Sequence, residues 1–193
     1  MNVIVLYPHG TAQHDAIFYT LPETVVLKNG KPLFIPNELS PLSADLHLGV
    51  RISNLGRSIS ERFAHRYYDA ISAVPQFYSA SVLEEVQAKG LPWSFATEFD
   101  GAVPLGGWFL LEENRETEYT LKLEIDEISA SCIQVRNIDI LIAQAIARVS
   151  RMYTLRRGDL LLIKVSETPI PVAINQHIDT YVGREKVLSF NLK

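Results

Sequence analysis

From Tyr119 to Asp126 the chain alternates without a fault: Tyr119, Leu121, Leu123 and Ile125 are apolar, and Thr120, Lys122, Glu124 and Asp126 are polar. Side chains of a strand point to its two faces in turn, so this segment predicts a half-buried strand with one apolar face to cover. Such a face needs a second layer. Ile138 to Val149 is apolar on nearly every side, which predicts a helix mostly buried against the sheet. Two short apolar runs, Asn2 to Tyr7 and Leu160 to Ile163, the second opened by Gly158-Asp159, read as strands buried on both faces. Tyr181 to Leu192 reads as a closing hairpin. Asn29-Gly30, between Val25-Val-Leu and Leu33-Phe-Ile, is a hairpin signal because both turn positions need φ > 0. Ser58-Ile-Ser-Glu61 fits a capping box and is followed by Phe63, Ala64, Tyr67 and Ile71 at helical spacing. Ser81-Val-Leu-Glu84 repeats that device, with Gly90 placed to close a short helix. The sum is a β-rich α+β domain with about three helices.

Length and charge narrow the function classes. A chain of 193 residues suits a single domain, 1–193, with a sizeable core. Its net charge of −4, with no block of Lys and Arg, gives no electrostatic footprint for nucleic acid. No apolar run approaches the roughly 18 residues of a membrane span. The single cysteine, Cys132, cannot form an internal disulfide, and Met1-Asn-Val-Ile-Val-Leu-Tyr-Pro lacks the basic n-region of a signal peptide. The expectation is a cytoplasmic protein with no nucleic-acid or membrane partner.

Candidate chemistry begins in Ser43-Ala-Asp-Leu-His-Leu-Gly-Val-Arg-Ile52, where Asp45 and His47 project from one face of a strand. They read either as neighbouring metal ligands or as the wet side of an ordinary strand, and no third ligand is evident from the pattern alone. His65, between core positions of the expected first helix, reads as a packed or hydrogen-bonded histidine. His9, His14 and Asp15 read as a mobile loop or as a remnant acid–base group. Cys132 has no basic neighbour in sequence, so an inert thiol is expected. No Gly-x-Ser-x-Gly, phosphate loop or dinucleotide fingerprint occurs.

Four stretches carry a family resemblance: Leu55-Gly-Arg-Ser-Ile-Ser-Glu-Arg-Phe-Ala-His-Arg-Tyr-Tyr-Asp-Ala-Ile71, Gly90-Leu-Pro-Trp93, Phe99-Asp-Gly-Ala-Val-Pro-Leu-Gly106 and Tyr153-Thr-Leu-Arg-Arg-Gly-Asp159. Their order and spacing resemble the fumarylacetoacetate hydrolase family, in particular the bacterial branch of dienedioate isomerases, acylpyruvate hydrolases and oxaloacetate decarboxylases, along essentially the whole chain. The resemblance implies a mixed β-roll, a homodimer, and a Mg²⁺ or Mn²⁺ site that binds a 2-oxo acid and stabilises an enolate.

The family's metal is held by Glu-x-Glu on one strand and by an Asp after the first helix. Matched to this chain, those positions are Asp45, His47 and Gln76. The Arg-Asp after the third ligand becomes Ala80-Ser81, and the active-site Lys becomes Thr97. An Asp-His-Gln set carries one formal negative charge where three carboxylates would carry three, which disfavours Mg²⁺ and Mn²⁺; an imidazole would leave Zn²⁺ possible. Losing the cations at Ala80 and Thr97 removes charge stabilisation worth a few kcal/mol each in an active site. The expectation is a catalytically silent member with a cleft that still binds a small 2-oxo acid or carboxylate, with no cofactor. The alternative is an active metal-dependent hydrolase, isomerase or decarboxylase of a 2-oxo acid or β-dicarbonyl compound.

Overall fold

The computed structural model describes residues 1–8, 16–28, 30–111 and 116–193. The strands are β1 (Val3–Tyr7), β2 (Ile17–Leu21), β3 (Val26–Lys28), β4 (Leu42–Ile52), β5 (Tyr68–Tyr78), β6 (Val103–Leu105), β7 (Phe109–Leu110), β8 (Tyr119–Ile125), β9 (Ile128–Val135), β10 (Leu160–Lys164), β11 (Ile170–Val172), β12 (His177–Val182) and β13 (Glu185–Asn191). The α-helices are α1 (Ala80–Ala88), α2 (Ser94–Thr97) and α3 (Ile138–Ser150). The order is mixed, with strands throughout, as an α+β fold requires.

The main sheet runs β2-β1-β10-β4-β5-β7, with β11 also on β4; β1 and β10 are parallel and the other pairs antiparallel. A second sheet runs β13-β12-β8-β9, and β3 pairs with β6 in a small third one. Alternation divides the main sheet's side chains between two cores. Ile4, Leu6, Leu46, Leu48, Leu161 and Ile163 meet Leu121, Leu123, Phe190 and α3 on one side. Val3, Val5, Val74, Leu160 and Leu162 meet Val25, Val103 and Leu105 on the other.

The half-buried strand is β8, whose buried residues are Tyr119, Leu121 and Leu123. Its partner follows a tight two-residue turn, Asp126 at φ 50° and Glu127 at φ 66°, so Asp126 ends the strand that alternation alone would extend. Helix α3 forms where the apolar run predicts it, but it is only half covered: Ile142 and Ile146 are buried while Ile140 is 57% exposed.

Two local expectations fail for tertiary reasons. The stretches flanking Asn29-Gly30 do not pair with each other: Val26–Lys28 pairs with β6, and Leu33 makes a parallel bridge to Leu192. Asn29 lies outside the described residues, and Gly30 is at φ 62°. The first capping box does not start an α-helix, because Ser58 sits at φ 53° with its N–H donated to Ser150. A six-residue 3₁₀ helix, Glu61–Arg66, stands there instead, and Tyr68 to Tyr78, including Ile71, is strand. His65 on it is exposed rather than packed. Helix α1 begins at Ala80 after Ser79, earlier than Ser81 implies, and Gly90 closes it at φ 64° as expected.

Candidate functional site

Asp45 and His47 share a face of β4, as the pattern requires, but the face is dry. Asp45 is 3% exposed and His47 is fully buried, so neither is the wet side of a strand. Antiparallel register sets Gln76 of β5 directly opposite Asp45, and Lys164 at the end of β10 opposite His47. Lys164 then reaches along the sheet and places its Nζ 2.6 Å from Asp45 Oδ2. The same ammonium lies 5.2 Å from the centre of the Tyr7 ring, in cation–π range. At the other carboxylate oxygen, Tyr78 Oη donates at 3.4 Å and Ser166 Oγ at 3.5 Å.

Asp45, Gln76 and Lys164 close the floor of a cavity of about 370 Å³. Its walls include Tyr7 and Ile17 from β1 and β2, Leu83 and Gln87 from α1, and Trp93 and Thr97 at α2. Tyr19 packs edge-on against Trp93 with ring centres 4.6 Å apart, and accepts a 3.0 Å hydrogen bond from Gln76 Nε2. Burial raises the phenol pKa values of Tyr7, Tyr19 and Tyr78, and the neighbouring Asp45 charge adds to the rise, so all three remain neutral donors at physiological pH. A second cavity, lined by Leu6, Leu141 and Arg148, opens on the other face of the main sheet, away from these groups.

Of the sequence candidates, Asp45, Gln76 and Thr97 meet in the cavity. His47 lies beside it within the strand, its Nδ1 3.2 Å from the Asp45 carbonyl, and among the described residues no group stands in good hydrogen-bond geometry to its Nε2. Ala80 and Ser81 sit exposed at the start of α1. His9, His14 and Asp15 lie outside the described residues. Cys132 is exposed on β9, where register sets Lys122 across from it, a basic neighbour the linear sequence hides. Lys164 is the residue that sequence reasoning missed. Its signal was weak, a lysine ending an apolar strand, and only the pairing with β4 gives it meaning.

The donor set does not fit a hard divalent cation. Such an ion takes several anionic oxygens; here the single carboxylate already faces an ammonium, and the Gln76 amide is engaged by Tyr19. Among the described residues no group of three or more His, Cys, Asp or Glu is placed to hold a metal.

His47 supplies a pH test of this arrangement. Burial pushes its pKa down to about 4, against a smaller opposing pull from Asp45. The folded value is below the ordinary one near 6.5, so the unfolded chain takes up a proton that the native chain refuses as pH falls between those values. Stability is therefore retained above about pH 6.5 and lost toward pH 4, by about 3 kcal/mol at most. Urea unfolding from pH 7.5 to 4.5 should show a shallower acid loss in His47→Leu than in the wild type; parallel curves would remove His47 from the account.

Comparison with known proteins supports the fold. Residues 6–163 match the family model described as fumarylacetoacetate (FAA) hydrolase C-terminal. Mitochondrial oxaloacetate tautomerase FAHD1 of Mus musculus is 26% identical over 189 residues, covering 95% of this chain and 82% of its own. Among solved structures, fumarylpyruvate hydrolase from Pseudomonas aeruginosa, in complex with Mn²⁺ and pyruvate, superposes with a TM-score of 0.83 at 16% identity over 100% of this chain and 89% of its own. The 2-hydroxyhepta-2,4-diene-1,7-dioate isomerase of Mycobacterium marinum gives 0.81 at 15% identity, over 99% and 73%. The mixed α+β fold is that of these neighbours, and no helix among the described residues is long and apolar enough to cross a membrane.

Proposed function

The chain belongs to the fumarylacetoacetate hydrolase family, and from that premise we propose that it keeps the family's cleft as a binding site for a small carboxylate or 2-oxo acid without the metal-dependent reaction. One observation carries the reading: the carboxylate at the base of the cleft is paired with Lys164 at 2.6 Å. Tyr7, Tyr19 and Trp93 line the cleft and offer polar groups and apolar surface to such a ligand. Fold alone does not confer a relative's activity, and the family resemblance sets Ala80 and Thr97 where groups that would stabilise an enolate are expected.

The expected results are oxalate binding, measured calorimetrically with a chelator present, and oxaloacetate turnover that stays at background with Mg²⁺ or Mn²⁺ added. Either ion should raise the melting temperature no more than a salt control. Saturable metal-dependent turnover that Asp45→Ala abolishes would refute the reading. The same pair also permits a second reading, metal-free proton transfer beside the ketone, since a carboxylate and an ammonium stand in contact. Turnover in the chelator that Asp45→Asn removes is the result that would favour it.

A further inference from the structure

A buried carboxylate needs a cation, and in this cleft the protein supplies one from its own chain. We propose that Lys164 takes the place of the divalent cation: its ammonium holds Asp45 with one N–H donor and offers another to a carboxylate or ketone oxygen of a ligand in the cleft. This inference deepens the proposed function and rests on it for the identity of the ligand class.

The geometry supports both halves of the role. Both side chains line the cavity, with the Lys164 side chain 19% exposed and the Asp45 side chain 5% exposed, so the lysine is the more open of the two. An ammonium has three donors, and Asp45 Oδ2 takes one. The Tyr7 ring stabilises the charge through its face without consuming a conventional acceptor. A cation binding Asp45 would stand close to the Lys164 ammonium, which already lies 2.6 Å from Oδ2, and the like charges repel. Lys164 is held in place by β-sheet register rather than by a loop: its neighbours Leu162 and Ile163 pair with Gly49 and Leu48. The position of the charge is therefore built into the sheet, as a bound ion's would be by its ligands.

The test has two arms. In the first, oxalate is titrated into the wild type, Lys164→Met and Lys164→Arg with EDTA present. The expected result is affinity at least tenfold weaker in Lys164→Met and within a few-fold of wild type in Lys164→Arg. Equal affinity in Lys164→Met would overturn the role of Lys164 while leaving acid binding intact; no oxalate binding by the wild type would overturn the proposed function itself. In the second, Mn²⁺ alone is titrated, followed by electron paramagnetic resonance and by thermal unfolding. Wild type should show no saturable binding, and neither should Asp45→Glu/His47→Glu/Gln76→Asp with Lys164 retained, whereas adding Lys164→Gly to that three-carboxylate background should give saturable binding. Saturable Mn²⁺ binding by the wild type, which needs no variant to fold, or equal Mn²⁺ binding by the three-carboxylate variant with and without Lys164, would overturn the substitution of lysine for metal.

Discussion

Gly106→Ala is expected to destabilise the fold by about 4 kcal/mol, above the ordinary range for overpacking, because what it meets is backbone. A Cβ built on Gly106 would lie 2.0 Å from the Val187 carbonyl oxygen and 2.9 Å from Leu188 Cα. Those atoms belong to β13, fixed in the second sheet by its ladder to β12, so the methyl group cannot be accommodated by turning a side chain. The neighbouring Gly107 N–H donates to the same carbonyl at 2.5 Å, and moving the strand would break that bond too. Gly107→Ala is the control: its Cβ would stand 3.5 Å from Val187 O, an ordinary contact, and should change stability by under about 1 kcal/mol. Urea unfolding of both variants decides it, and equal effects would show that the close approach at Gly106 is not what that residue is for.

The same physics explains which parts of the protein were legible in sequence. The stretches that carried the family resemblance hold the scaffold together. Gly56 exchanges backbone hydrogen bonds with Leu155, tying the first signature to the fourth, and a Cβ there would meet the Tyr67 ring at 2.4 Å. Asp159 is 2% exposed and fully engaged: Oδ1 accepts from the Asn2 N–H at 2.7 Å, and Oδ2 from Arg156 N–H at 2.8 Å and Asn2 Nδ2 at 3.1 Å. Gly101 sits at φ 87° with Leu33 packed where a side chain would go. Residues of this kind have backbone or packing requirements that few substitutes meet, which makes their motifs readable from the sequence.

The site was only partly legible because its decisive contact is non-local. Alternation in β4 correctly set Asp45 and His47 on one face, yet a strand's own sequence does not say whether that face is covered, and here it is. The Asp45–Lys164 contact joins residues 119 positions apart. In Leu160-Leu-Leu-Ile-Lys164 both phases of the strand are buried up to Ile163, so periodicity does not reveal which face receives the lysine. The failures at Ser58 and Asn29-Gly30 have the same origin. Local signals for a cap and a turn were outweighed by pairing partners far away in the chain, Ser150 for Ser58 and β6 for Val26–Lys28.

On the proposed reading, a metal-dependent reaction should require removing Lys164 as well as adding ligands. Asp45→Glu, His47→Glu and Gln76→Asp together supply three carboxylates, but with Lys164 retained one of them stays paired to the ammonium, and Mn²⁺ binding should remain weak. Adding Lys164→Gly should give saturable Mn²⁺ binding. Without metal that fourfold variant should lose several kcal/mol of stability, on the order of 3–5, because position 47 is fully buried and would hold an uncompensated carboxylate. Mn²⁺ should restore much of the loss through its preference for the native state. Oxaloacetate turnover should nonetheless stay near background in the fourfold variant, since a bound ion that stabilises substrate and transition state equally does not raise the rate. Adding Ala80→Arg, Ser81→Asp and Thr97→Lys puts charged groups back beside the cleft, Thr97 already lining its wall. Each electrostatic group of this kind is worth roughly 10² in rate, and turnover at least that far above the fourfold variant is expected. Turnover assays with matched Mn²⁺ occupancy separate the steps: strong Mn²⁺ binding by the threefold variant would show that Lys164 does not compete with the metal, and activity in the fourfold variant would show that the cations at positions 80 and 97 are dispensable.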